Sequence, residues 1–452
     1  MRLGIGLTGG AALAALLWSS AGAQTLAPAA EAETAQATAL PEASEEIAPP
    51  QGPPTITEAI TGGKLIFEAR ARYENVDQTG IARHGEAFTL RTRIGWETGD
   101  FHGWRGLLEI DDVRQLHGEH YNVAAPGVTG GSVNGKTLFP IINDPDVTEV
   151  NRAQLTWAPT GWANFTLGRQ RIVVEDQRFI GNVGWRQDEQ TFDAVRTDLS
   201  YGKFRAFYAY ITHVNRVLGE ARDWDSDSHI ATLTYTHSAP VQLQGFVYAL
   251  DFDNAKPSSG LTYGGKFAGK TWLGQFQLAY NATFAHQKDY RHNTAPYSLG
   301  YWGGDVAATY DIYSAKVSYE VLEGDGVRGF ITPLATTHAF QGWADAFAGV
   351  SGNKTFVDGI KDLNLQVTLR PRRRWSYLFN LEFLARYHDF NAERTGVSIG
   401  HEWDVQAQAQ ITNQLSFALK FADFERVKSV PLGSAAPPAS RTKIWLTLEY
   451  KL

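Results

Sequence analysis

The sequence predicts an all-β protein, a transmembrane antiparallel β-barrel of about 18 strands with short turns at one end and long loops at the other. Three observations predict it. Aromatic residues make up 12% of the 452-residue chain, and β-type runs recur between Gly, Asn and Asp clusters from end to end. Within those runs polar and apolar residues alternate with a period of two, the pattern of a sheet with one apolar and one polar face. The connections between runs alternate between short and long, a parity that soluble sandwiches rarely keep. A mean hydropathy of −0.27 excludes a bundle of apolar helices but not a barrel, whose alternating faces average to a polar sequence.

The amino terminus sets the compartment. Met1-Arg2 precedes an apolar stretch from Leu3 to Trp18, and Ala21-Gly22-Ala23 is a small-residue cleavage pattern, so residues 1–23 are expected to be a secretory signal. Residues 24–63 are rich in Ala, Pro and Glu, carry six carboxylates and no Lys or Arg, and are expected to form a disordered periplasmic tail. Taking away residues 1–63 removes one cation, Arg2, and those six carboxylates. The formal charge of −7 then becomes about −2 for residues 64–452, so net charge names no partner and nothing points to nucleic acid.

From Leu65 the strands follow in order. Leu65, Phe67, Ala69, Ala71 and Tyr73 alternate with Glu68, Arg70, Arg72 and Glu74. Phe88, Leu90, Thr92, Ile94 and Trp96 alternate with Thr89, Arg91, Arg93 and Glu97. Farther on, Phe276 to Phe284 and Trp403 to Ile411 repeat the pattern. Short connections are expected near residues 98–103, 159–163, 201–203, 237–240, 269–271, 311–312, 370–374 and 412–414. Longer ones fall near 75–86, 114–148, 173–190, 216–227, 253–260, 287–296, 323–358, 391–400 and 426–440. The late segment 323–358 carries Phe330, Leu334, Phe340 and Trp343, too apolar to lie bare in water, and is expected to fold over or into the extracellular mouth. The chain ends on Ile444, Leu446, Leu448, Tyr450 and Leu452, an apolar stripe that closes the barrel and can be read by the barrel-assembly machinery, although Leu452 replaces the usual terminal Phe.

No catalytic, metal or cofactor chemistry emerges. The absence of cysteine removes thiol catalysis and Cys-ligated metals. Gly130 to Thr137 matches a P-loop expression, but no apolar strand precedes it and Pro140 falls where its helix should run. Asp223, Asp225 and Asp227 alternate like calcium-loop ligands without the central Gly or the closing Glu. Neither HExxH nor GxSxG occurs. The chain is therefore not expected to be an enzyme.

The informative residues are cations with lumen parity: Arg70, Arg72, Arg91, Arg93, Arg105, Arg152, Arg196, Lys316 and Arg386. A lipid-facing Arg costs about 2–4 kcal/mol at the bilayer midplane, so these residues are expected to point inward. Arg169 shares the parity of Phe165 and Leu167, and joins the set only if a bulge intervenes near Gly168. Glu68, Glu109, Asp111, Asp198, Glu320, Glu382, Glu402 and Asp404 have lumen parity too, so a salt-bridge lattice and a guanidinium path for carboxylates both fit the wall.

Leu167-Gly168-Arg169-Gln170-Arg171-Ile172, then Trp185-Arg186 and Gln190-Thr191-Phe192-Asp193-Ala194, resemble the signature of the alginate-export family. Phe330 to His338 and Phe340 to Asp345 are similar to that family's long late loop, and the resemblance covers residues 64–452. It implies an 18-stranded barrel in the bacterial outer membrane with an electropositive lumen, whose best-understood members secrete the polyuronate alginate without an energy source. The nearly neutral barrel does not itself demand so anionic a polymer. The expected function is a monomeric channel for facilitated diffusion of an anionic solute, with alginate-like export as one form. An uptake porin for small organic or sugar acids and a loop-plugged structural barrel are the alternatives.

Overall fold

The computed structural model describes residues 55–124, 131–347, 356–431 and 433–452. The expected signal, most of the acidic tail, and Gly130 and Gly349 of the long loops lie outside the described residues. Eighteen antiparallel strands form one sheet: β1 (Lys64–Gln78), β2 (Gly85–Glu97), β3 (Trp104–His120), β4 (Val147–Thr160), β5 (Ala163–Gln170), β6 (Thr191–Tyr201), β7 (Phe204–Asn215), β8 (Trp224–Ser238), β9 (Val241–Leu250), β10 (Gly260–Leu273), β11 (Phe276–Lys288), β12 (Ser298–Tyr310), β13 (Tyr313–Leu322), β14 (Ile360–Leu369), β15 (Phe379–Ala392), β16 (Ser398–Gln410), β17 (Leu415–Arg426) and β18 (Arg441–Lys451). The last strand pairs with the first, from Glu68 opposite Lys451 to Gln78 opposite Arg441, so the sheet has no open edge. Closure lets every strand satisfy its backbone inside the membrane.

The alternation places apolar residues outward on every side. Ile94, Leu108, Leu155, Leu233, Val306, Val367 and Leu446 are exposed to lipid. At the end with the short turns, Trp104 stacks on Trp157 at 5.4 Å and Phe276 meets Tyr310 at 5.4 Å, part of the aromatic girdle of the periplasmic interface. Residues 55–63, grouped with the tail in the sequence, carry a short helix, α1 (Ile56–Thr61), capped by Thr55. Its Ile60 carbonyl accepts a bond from the Trp96 indole at 2.9 Å.

Two turns differ from the sequence expectation. The chain does not reverse at 269–271: β10 runs on to Leu273 with Trp272 and Leu273 exposed to the interface, and turns at 274–275, where Gly274 adopts φ 59°. The connection at 370–374 extends to residue 378, because Trp375 and Leu378 exchange backbone bonds before β15 begins.

The interior is not polar along its whole height. Toward the extracellular ends of the strands, inward positions become apolar: Phe192, Ile230, Phe246, Tyr248, Leu299, Leu322, Ile360, Phe390, Phe424 and Trp445 are buried. Against them pack Ile172, Val174, Ile180 and Trp185 from the inner loop (residues 171–190) and Phe330, Leu334, Trp343, Phe347 and Phe356 from the late loop (residues 323–359). Both loops therefore enter the barrel, as expected for the late one, and build a hydrophobic core in its upper half. Water exclusion from these large side chains holds them there, at roughly 1.5–3 kcal/mol for each.

Candidate functional site

Below that core, β18, β1 and β2 set a row of cations on the lumen wall. Strand pairing places Arg70 directly opposite Arg91 and Glu68 opposite Arg93, with Glu449 on the other side of Arg70. Like charges so placed repel, and interleaved carboxylates offset the repulsion. Arg91 Nη2 lies 2.9 Å from Glu68 and 3.2 Å from Glu449, and Arg70 Nε lies 3.0 Å from Glu449. Arg93 bridges Asp111 and Glu189, 3.2 Å from the latter. Arg152 binds Glu109, into which a bulge of β4 also turns Asn151. The lattice reading thus describes much of the wall. Arg91 is the exception, since its buried Nε and Nη1 find no hydrogen-bond partner among the described residues.

Two arginines serve a purpose that their strands do not reveal. Arg70 Nη1 donates to three successive carbonyls of the inner loop, Gly184, Trp185 and Arg186, at 3.1, 3.3 and 3.1 Å. Arg72 donates to the Trp185 carbonyl as well and lies 4.2 Å over its indole ring. Trp185 in turn stacks on His338 of the late loop, with ring centroids 3.8 Å apart and planes 5° apart. His338 is paired with Asp345 at 3.1 Å, and Lys443 of β18 holds the same carboxylate at 3.1 Å. Lys420 sits 3.9 Å from the Trp185 ring and 4.0 Å from that of Trp343. On the far wall Glu320 receives Arg178 from the inner loop and Gln341 from the late loop. The backbone amides of Trp343 and Ala344 donate to Asp404 and Glu402, and only glycine fits before them: Gly342 has φ 80°, and a Cβ there would stand 2.2 Å from the Glu402 carboxylate.

The family-like blocks are thus the clamp itself. Trp185, Gln190 and the run from Phe330 to Asp345 were legible as a motif, but nothing local showed that they meet the arginine wall. Within the inner loop, Asp188 is fully buried and neither carboxylate oxygen has a partner among the described residues. Burial raises its pKa well above the ordinary carboxylate range, and Glu149, Asp111 and Glu189 push it the same way against Arg93. The folded state therefore holds this proton more tightly than the unfolded chain does. The associated stability is complete below the unfolded pKa and is lost as pH rises through the folded one. Melting curves from pH 4 to 8 should fall for the natural chain relative to Asp188→Asn; parallel curves would contradict a protonated Asp188.

The loops leave two spaces in the lower lumen. One, of about 540 Å³, is lined by Lys266, Tyr301, Lys316, Glu320, Asp362 and Arg386 among others, with six Lys and Arg balanced by six Asp and Glu. The other, of about 270 Å³, is lined by Arg70, Arg72, Arg91, Arg93, Arg171, Lys420 and Lys451 against Glu68, Glu189 and Glu449, a surplus of four positive charges. Lys316 is half-buried in the neutral chamber, and Arg386 bonds Gln366 at 2.7 Å there. Arg196 pairs with Asp198 at 2.7 Å on the β6 wall. Arg105 is exposed at the periplasmic end and lines neither chamber. For Arg169 the register gives the other face: it pairs with Ala153, whose neighbours Arg152 and Gln154 point inward, and no bulge intervenes at Gly168. Its guanidinium binds Asp193 at 2.9 Å on the outward side. Arg171 reaches Glu189 inside only because β5 has ended at Gln170.

Residues 64–426 match the alginate export family. The chain belongs to that family. As a member of it, with this closed barrel, it resides in the bacterial outer membrane and has the architecture of a porin-type channel. A comparison with curated proteins finds no match. Among solved structures, OpdK of Pseudomonas aeruginosa, crystallised with vanillate, superposes with a TM-score of 0.66 at 14% identity, covering 87% of this chain and 99% of that one. OccD3 (OpdP) of the same organism gives 0.62 at 13%, covering 93% and 98%. OccAB4 of Acinetobacter baumannii gives 0.64 at 11%, covering 86% and 98%. At such identities these likenesses establish the barrel fold of this alginate-export family member and leave its solute open.

Proposed function

We propose that this barrel passes an anionic solute across the outer membrane by facilitated diffusion, without catalysis, along the wall formed by β18, β1 and β2. The observation that carries the reading is the chamber of about 270 Å³ whose lining carries seven Lys and Arg against three Glu, with the Arg91 guanidinium held in its wall. A guanidinium edge binds a carboxylate at two points, and neighbouring cations let the anion pass from one to the next. With the loops inside, the chamber is smaller than the roughly 300–1,000 Å³ that encloses a drug-sized ligand, which favours a small organic or sugar acid. The crystallised complex of OpdK with vanillate, an aromatic carboxylate, is consistent with that size class. Passage of an alginate-like polyuronate is the second reading, and it requires the inner and late loops to leave the lumen.

Arg91→Gln tests the path. Glu68 and Glu449 keep other cations, Arg93 at 3.5 Å and Arg70 at 3.0 Å, so the barrel should fold and melt nearly as before. Reversal potentials in planar bilayers should show a several-fold drop in anion over cation permeability. An unchanged ratio would remove Arg91 from the solute path. Comparing block by monomeric uronate with block by polymannuronate then separates the small acid from the polymer.

A further inference from the structure

The chamber of about 540 Å³ differs in chemistry from the arginine-lined one. Its ions largely engage one another: Lys266 with Glu175 at 3.2 Å, Arg178 with Glu320, Arg370 with Glu382 at 2.7 Å, and Asp362 with His388 at 2.9 Å. Neutral groups are left facing the open space. Gln277, Ser318 and Asn364 line it, half-buried, and their side chains make no hydrogen bond among the described residues.

Strand pairing sets these groups around a recess. Ala279 of β11 lies directly opposite Ala307 of β12, and their small side chains leave the wall hollow. Two positions up the strands stand Asn281 and Asp305, and two positions down stand Gln277 and Thr309. Sideways, Asp305 is opposite Ser318, and Ser318 is opposite Asn364. Neighbouring strands lie about 4.7–4.9 Å apart and alternate residues roughly 7 Å apart, so polar side chains ring a floor the size of one or two pyranose rings. From the loops, the half-buried Phe179 and Phe340 line the same space.

We propose that this recess binds a neutral saccharide unit of one or two rings. A sugar hydroxyl donates and accepts at once, as a side-chain amide or hydroxyl does, whereas a carboxylate only accepts and is best met by cations. The C–H face of a pyranose is apolar, and it fits against the alanine floor or against an aromatic ring, whose face carries partial negative charge. The volume lies within the roughly 300–1,000 Å³ that encloses a small ligand. The site does not depend on the anion path, because the recess belongs to β11–β14 and not to the wall of β18, β1 and β2.

Maltose, cellobiose and polyethylene glycol of equal hydrodynamic size serve as probes of the full-length channel in planar bilayers. At least one disaccharide should interrupt the ion current at millimolar concentration, and the polyethylene glycol should not. Gln277→Leu combined with Asn364→Leu removes the free amides, and Ala307→Phe fills the recess. Neither change takes a side-chain bond from another residue, so both variants should keep their heat-modifiable folded band and the reversal potential of the natural chain. Each should raise the half-blocking sugar concentration at least tenfold. Equal block of natural and variant channels would overturn the site, and so would sugar block no stronger than that of polyethylene glycol. Arg91→Gln should leave sugar block unchanged, which keeps this test separate from that of the anion path; loss of sugar block in that variant would overturn the placement on β11–β14.

Discussion

Arg93→Gln is expected to lower barrel stability by about 3–5 kcal/mol, the cost of leaving a buried charge without its partner. Arg93 is almost fully buried and binds Asp111 and Glu189, with Glu109 at 3.7 Å and Glu68 at 3.5 Å. Its loss leaves Asp111 without a cation, and Glu189 must rely on Arg171. The contrast with Arg91 is the informative part. The two residues lie on one strand, two positions apart and on the same face, yet Arg93 meets four carboxylates while Arg91 shares its two, Glu68 and Glu449, with other cations. Heat-modifiability on gels should show Arg93→Gln losing its folded band many degrees before Arg91→Gln does. Equal melting of the two variants would mean that the lattice and the solute path cannot be separated on β2.

Replacing Arg70 and Arg72 together by Gln is expected to open the channel. The two guanidiniums make charge-assisted bonds to the carbonyls of residues 184–186, each worth roughly 1.5–3 kcal/mol, and Arg72 covers the Trp185 ring. Without them the stack of Trp185 on His338 loses its support from the wall, which weakens one of the contacts between the inner and late loops. The barrel should survive, because Glu449 retains Arg91 and Lys451. Single-channel conductance should rise several-fold and protease should cut residues 171–190 from the extracellular side. A variant with closed, protease-resistant loops would show that the apolar core alone holds them.

The sequence by itself determined the barrel, its 18 strands, the closure of β18 on β1 and which residues of β1 and β2 face the lumen. These are local properties: one residue's parity fixes the face of its neighbours, and two lipid-facing arginines in a row would be too costly to keep. The same locality explains the errors. Arg169 has an unbroken outward parity, and only its pairing with Ala153 excludes the bulge that would have turned it. The turn after β10 moved to Gly274 because interface-facing Trp272 and Leu273 extend a strand that Gly269 alone suggested should end. What the tertiary structure decided is the use of the lumen. Parity places Arg70, Arg91 and Arg93 on one wall, but cannot tell which of them meets a carboxylate, a loop carbonyl or water. Glu68 and Asp111 reach them from neighbouring strands, whereas the partners in residues 184–189 and 447–449, more than 90 positions away along the chain, arrive only when the sheet closes and the loops fold inward. Phe246, Ile360 and Phe424 likewise read as ordinary strand residues until the apolar loops meet them inside the barrel.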